Sequence, residues 1–229
     1  MVKEQGENGL GKKSGGMTFH PKILTPAQKR VLQLLGPFTQ QHDFYLAGGT
    51  ALALHLGHRR SQDLVWFTTG RIPDAMSLAT SIGQEGIPFE VRQVARGTLN
   101  GSVSKIPVSF FEYQYPLLQK EIFWSEVGCR LASLPDIACM KLSAIAQRGH
   151  KKDFVDLYAL GIKSFSLKQM LSFYQKKYSI KDIWQVLFAL SYFDEAEKER
   201  MPVMLWETQW NKIKTTIQTW VKTFATLHT

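Results

Sequence analysis

The sequence predicts an α+β protein, a small mixed β-sheet flanked by helices and followed by a helical C-terminal lobe. Three observations predict it. Short apolar runs of strand length, bounded by glycine, asparagine and proline, fill residues 44–133. From Pro135 almost to the end, apolar residues return at helical spacing instead. The chain of 229 residues, 44% of them apolar and 12% aromatic, can bury a substantial core as one large domain or two compact lobes. The composition shifts divide it into a flexible arm (1–18), an α/β core (19–134) and a helical lobe (135–229).

In chain order, the first eighteen residues are rich in Gly, Lys and Glu and lack the apolar run of a signal peptide. Thr25-Pro26-Ala27-Gln28 reads as an N-cap followed by proline at the first helical position. It opens a helix of about fifteen residues through Leu32, Leu34 and Leu35 that packs beneath the sheet. Phe44 to Leu46 is a short strand running into Gly48-Gly49-Thr50 and an Ala/Leu-rich helix that stops at Gly57. Asp63 to Phe67 is the next strand and Pro73 to Ile82 a helix. Phe89 to Ala95 and Val103 to Tyr113 are strands, with Asn100-Gly101 as the turn between them and Phe110 and Phe111 in the core. Residues 127–133 give a last strand, and Pro135 starts a helix. Ser166 caps a further helix through Met170, Leu171 and Tyr174, another runs through Ile183, Val186 and Leu190, and Trp206, Trp210 and Trp220 fit a final one. Their aromatic stripe reads as core, with base stacking as the alternative.

Two constellations carry chemistry. At Gly48-Gly49 the missing side chains let backbone N–H groups approach a phosphate where a helix begins. Arg59 and Arg60 follow with forked donors suited to phosphate oxygens, then Ser61, and Asp63 places a carboxylate at the mouth of the same cleft. The same strand, turn and helix also serve close packing. The second constellation lies about ninety residues downstream: Lys141 and Arg148 are seven apart, two turns along one helix face, and Lys152, Asp153 and Asp156 follow. A surface ion-pair network, worth a few tenths of a kcal/mol per pair, gives the same pattern. The two blocks together favour a shared phosphate site. His55 and His58 lack the partners a metal site needs and read as helix-end histidines, with His58 near a phosphate.

The net charge of +9 is uneven. Residues 1–30 carry six Lys/Arg against two acids, residues 31–140 eight against nine, and residues 141–229 fourteen against eight. A basic surface beside a phosphate-binding cleft suits RNA or another polyanion, and it equally serves solubility. Cys129 and Cys139 are too few and wrongly spaced for a zinc cluster or redox motif, which fits reduced thiols in a cytoplasmic protein. No apolar run is long enough to span a bilayer.

Tyr45 to Asp63 resembles the glycine-glycine-threonine block of the AbiEii-type nucleotidyltransferase toxin family, within the DNA-polymerase-beta-like nucleotidyltransferase fold. The run Asp136-Ile-Ala-Cys-Met-Lys141, Arg148, Lys152-Asp153-Phe-Val-Asp156-Leu157 resembles its second block. The resemblance implies a nucleotidyltransferase core that binds a nucleoside triphosphate with Mg2+ and passes a nucleotidyl group to tRNA, other RNA or a protein. It also implies an antitoxin partner. By the same resemblance Asp63 holds the metal and acts with Lys141, Arg148 and Asp153 as catalytic residues. Gly48, Gly49, Thr50, Arg59, Arg60, Ser61, Lys152 and Asp156 bind the nucleotide. The chain departs from the family at one position, reading Asp63-Leu64-Val65 where members read Asp-Leu-Asp, so the second metal ligand is missing. Ser109 aligns with the third carboxylate of the wider fold, leaving Glu112 or Glu90 as substitutes if strand parity allows. The alternative to an enzyme is therefore a catalytically degenerate nucleotide- or RNA-binding module.

Overall fold

The computed structural model describes residues 19–226. The expected arm over 1–18 lies outside them. Helix α1 (Pro26–Gln41) begins as the sequence predicts: the Thr25 hydroxyl accepts the Gln28 N–H at 3.2 Å while Gln28 Oε1 accepts the Thr25 N–H at 2.9 Å. Strand β1 (Tyr45–Ala47) leads directly into α2 (Gly48–Leu56), and β2 (Leu64–Thr68) follows. Asp74 caps α3 (Ala75–Gln84).

Three strands follow, β3 (Phe89–Ala95), β4 (Thr98–Val103) and β5 (Ile106–Glu112), where the sequence predicted two. Asn100-Gly101 is not a turn but the middle of β4. The turns are Arg96-Gly97 and Ser104-Lys105, with Ala95 opposite Thr98 and Val103 opposite Ile106. A Cβ at residue 101 would sit 2.4 Å from the Glu90 carbonyl oxygen and 2.5 Å from the Phe89 ring, so Gly101 is there for close strand packing. Strands β6 (Ile122–Trp124) and β7 (Cys129–Leu131) complete a seven-stranded sheet ordered β3-β4-β5-β2-β1-β7-β6, and β6 had no counterpart in the sequence reading. The sheet is mixed: β2 pairs parallel with β5 and β1 parallel with β7, the other neighbours being antiparallel.

Ser133 caps α4 (Leu134–Arg148), Pro135 lies in its first turn, and Gly149 ends it. The remaining helices are α5 (Lys151–Lys163), α6 (Leu167–Tyr178, with a Ser166–Gln169 capping box), α7 (Trp184–Ala189), α8 (Asp194–Glu197) and α9 (Trp210–Thr226). Trp206 precedes α9 instead of joining it. One continuous core runs from Leu46, Leu52 and Trp66 to Leu142 and Phe154, across the composition boundary at 134.

The register settles which side chains share a face. Val65 lies opposite Ser109 and Phe67 opposite Phe111. Leu64 and Trp66 point into the core and are fully buried, so their alternates Val65 and Phe67 face the other way, where α4 and α5 close over the sheet. No helix among the described residues is long and apolar enough to cross a membrane.

Candidate functional site

Between that sheet face and the α4–α5 corner lies a cavity of about 380 Å³. Gly48 and Gly49 line it together with Lys141, Arg148 and Lys152, so the two sequence blocks meet. Gly48 has φ +68°, the left-handed region that lets β1 turn at once into α2. A Cβ on Gly49 would sit 2.4 Å from Arg59 Nη2, so the arginine fork can lie against the helix start only because residue 49 is glycine. No side chain caps α2, since its N-cap is Ala47, whereas α1, α4 and α6 start on Thr25, Ser133 and Ser166. The first-turn N–H groups of α2 therefore have no side-chain acceptor where they approach the cavity.

An ordered charge network backs the cavity. Asp156, fully buried, accepts two bonds from Arg59 (Nε at 2.6 Å, Nη2 at 2.8 Å), one from His58 Nε2 at 2.8 Å, and pairs with Lys141 Nζ at 2.5 Å. Asp153, also buried, pairs with Lys141 at 2.9 Å and with Arg148 Nε at 3.0 Å. Burial alone would push both carboxyls up, but Arg59 and Lys141 hold Asp156 well below the usual range, and Lys141 with Arg148 lowers Asp153. Burial alone would likewise pull the pKa of Lys141 down, but Asp156 and Asp153 outweigh burial and raise it above the ordinary value. Burial lowers the pKa of His58 and so favours the neutral ring, despite its bond to Asp156. The result is a fixed ammonium at the cavity wall, with half-exposed Arg148 and exposed Lys152 beside it.

Nine of the twelve residues expected at the site line the cavity: Gly48, Gly49, Arg59, Ser61, Asp63, Lys141, Arg148, Lys152 and Asp153. Three do not. The Thr50 hydroxyl is used internally, donating at 2.5 Å to the Asp63 carbonyl oxygen and so tying α2 to the entrance of β2. Arg60 is exposed and does not line the cleft, its backbone N–H donating to the Val203 carbonyl oxygen at 2.8 Å. Asp156 lies beneath the wall and positions Arg59 and Lys141. Arg59 reaches the cavity with its fork already engaged by Asp156. His58 is buried on the same carboxylate and does not line the cavity, so the expectation of a place beside a phosphate is not supported by its position. Phe67, Phe111 and Tyr113 also line the cavity, whereas the sequence pattern places Phe111 in the core. Alternation from Asp63 and Ser109 is the signal that would have found them.

The geometry can be set beside known proteins. The family model described as "Nucleotidyl transferase AbiEii toxin, Type IV TA system" matches residues 67–222. The chain belongs to the AbiEii nucleotidyltransferase toxin family. It is similar to an uncharacterised protein of Aquifex aeolicus, 39% identical over 178 residues that make up 77% of this chain and 86% of that protein. In fold it is similar to the nucleotidyltransferase toxin MenT4 of Mycobacterium tuberculosis (TM-score 0.58, 13% identity, covering 84% of this chain and 80% of that one). It is also similar to JHP933 from Helicobacter pylori (TM-score 0.50, 15% identity, 89% and 91% covered). Together with the mixed sheet and helical C-terminal region, these likenesses show a nucleotidyltransferase fold.

Against the metal chemistry associated with the AbiEii family, this donor set is sparse. Val65 and Ser109, adjacent across β2 and β5, occupy the cavity face where further carboxylates would stand. Neither proposed substitute reaches it: Glu112 accepts the Ile72 N–H at 3.0 Å, and Glu90 accepts the Ser102 hydroxyl at 3.1 Å on β4. Asp153 faces the cavity but is neutralised by two cations. No cluster of three or more metal-binding side chains occurs among the described residues. Asp63 is different, for no salt bridge engages it among the described residues and the Ser61 hydroxyl lies 3.4 Å from its Oδ1. These residues do not fit a preformed pair of metal ions. They do fit one magnesium ion that shares its shell with phosphate oxygens and water.

Proposed function

We propose that the cleft binds a nucleoside triphosphate with one magnesium ion and that the protein transfers a nucleotidyl group from it to an RNA or protein acceptor, as a toxin with a cognate antitoxin. The observation that carries this reading is the meeting of Gly48-Gly49 with Lys141, Arg148 and Lys152 around the Asp63 carboxylate, which makes no salt bridge among the described residues. Phosphoryl chemistry asks little covalent work of a protein and a great deal of positioning and charge stabilisation. The N–H groups opening α2 hold phosphate oxygens. Lys141, fixed by two aspartates, and Arg148 and Lys152 offset the charge that grows on the leaving oxygens, with no reorganisation at the moment of transfer. Asp63 would hold the magnesium ion, which when bound supplies positive charge against the phosphates.

Val65 and Ser109 favour a second reading, nucleotide binding without turnover. Incubating the protein with each radiolabelled triphosphate and total tRNA separates the two. The transfer reading expects labelled acceptor with the native protein and at least a ten-fold loss in Asp63→Ala, since disturbing even groups behind a metal typically costs about 10–100-fold. Triphosphate binding with no labelled acceptor supports the binding module, and binding of neither overturns both readings.

A further inference from the structure

The cavity has two chemically different ends. Its phosphate-facing end is glycine backbone and cations, whereas the continuation along β2 and β5 is aromatic: Phe67, Phe111 and Tyr113, none of them fully buried. Val65 lies against Gly48, its Cβ 3.8 Å from where a Cβ on that glycine would be. Phe67 stands two residues further along the same strand face, about 7 Å at the rise of extended chain. The rings form a wall, with Phe67 5.5 Å from both Phe111 and Tyr113 between centroids. That wall is held rigid from behind: the Tyr113 hydroxyl is hydrogen-bonded to the Tyr178 hydroxyl on α6, and the Lys177 ammonium sits 5.6 Å from the Tyr113 ring centroid.

We infer that this aromatic wall is the stacking surface for the nucleobase of the bound nucleotide. The inference rests on the phosphate reading of the cleft made above. Apolar rings facing an open, charged cleft leave apolar surface exposed, and a planar base attached to a phosphate tail would cover it. A base stacks on such rings whatever its edge, because every base has a π-face. The rings themselves offer little to read a base edge, since the one hydroxyl they carry is bonded to Tyr178. Their own contribution therefore ranks bases by stacking area, purines ahead of pyrimidines.

Calorimetric titration of the full chain with ATP, CTP and inorganic tripolyphosphate, each with magnesium, tests this. Two variants are used: Phe111→Ala, and Phe111→Leu, which keeps apolar bulk and removes the ring. The expected result is a loss of ATP affinity of about ten-fold in both variants, a smaller loss for CTP, and no more than about a two-fold change for tripolyphosphate. An ATP affinity insensitive to the ring, or a loss shared equally by tripolyphosphate, overturns the inference while leaving the phosphate site standing. Failure of tripolyphosphate and ATP alike to bind the native protein overturns the phosphate reading and the inference with it.

Discussion

Asp156→Ala is expected to destabilise the folded protein by about 3–5 kcal/mol, the effect of removing one partner from a buried ion pair and leaving the other charge uncompensated. Asp156 is fully buried and is the carboxylate that both Arg59 and Lys141 share. Arg59 has no second carboxylate partner among the described residues, and Lys141 keeps only Asp153. Asp156→Asn, which preserves shape and removes charge, is expected to fail similarly. The effect has a signature in pH. Because the folded-state pKa of Asp156 is depressed, its stabilising contribution is present above the ordinary value of 3.8 and is lost as pH falls through the folded value. Denaturant titrations should therefore show a gap between native protein and variant that is full near neutrality and narrows only below about pH 4. A variant within 1 kcal/mol of the native protein at neutral pH would show that the network is solvated and not buried.

Val65→Asp is expected to act in the opposite direction, raising magnesium-dependent transfer, or magnesium affinity in the presence of triphosphate, by about 10–100-fold. Valine and aspartate are close in size, and residue 65 is half-buried on the cavity face of β2, two residues from Asp63 and on the same side. The substitution places a second carboxylate beside the first without displacing core. Two carboxylates so close repel one another without a cation between them, so the variant should also gain more thermal stability from magnesium and triphosphate than the native protein does. Transfer assays and magnesium titrations both read the outcome. No change in either quantity would place the metal position somewhere other than along Asp63 and Val65.

That Gly48 and Gly49 would share a cavity with Lys141 and Arg148 was legible in the sequence because the signals are local. A glycine pair at a strand–helix junction and two cations seven residues apart on one helix need no tertiary information to share a purpose. What the sequence concealed depends on burial and parity. Thr50, Arg60 and Asp156 carry the right chemistry at the right spacing, yet one binds a backbone carbonyl, one points to solvent and one lies beneath the wall. The Lys141–Asp153–Asp156 pattern is compatible with an exposed helix, and only the packing of α5 on α2 and α4 shows the aspartates to be buried. Ser109, Glu90 and Glu112 could not be ranked until the β2–β5 register was known, because a one-residue slip exchanges faces. The same register moved Phe111 from the core to the cavity. In the sheet, Gly101 misled because glycine marks close strand approach as readily as a turn.

The central claim is that two distant segments together hold one triphosphate tail. It is tested most directly by nuclear magnetic resonance of the isotopically labelled protein titrated with ATP and magnesium. The account predicts that the backbone amides of Gly48 and Gly49 and the side-chain resonances of Arg148 shift together, along one saturation curve with a single dissociation constant. Saturable shifts at Arg148 and Lys152 with Gly48 and Gly49 unmoved, or no saturable shift at all, would contradict it.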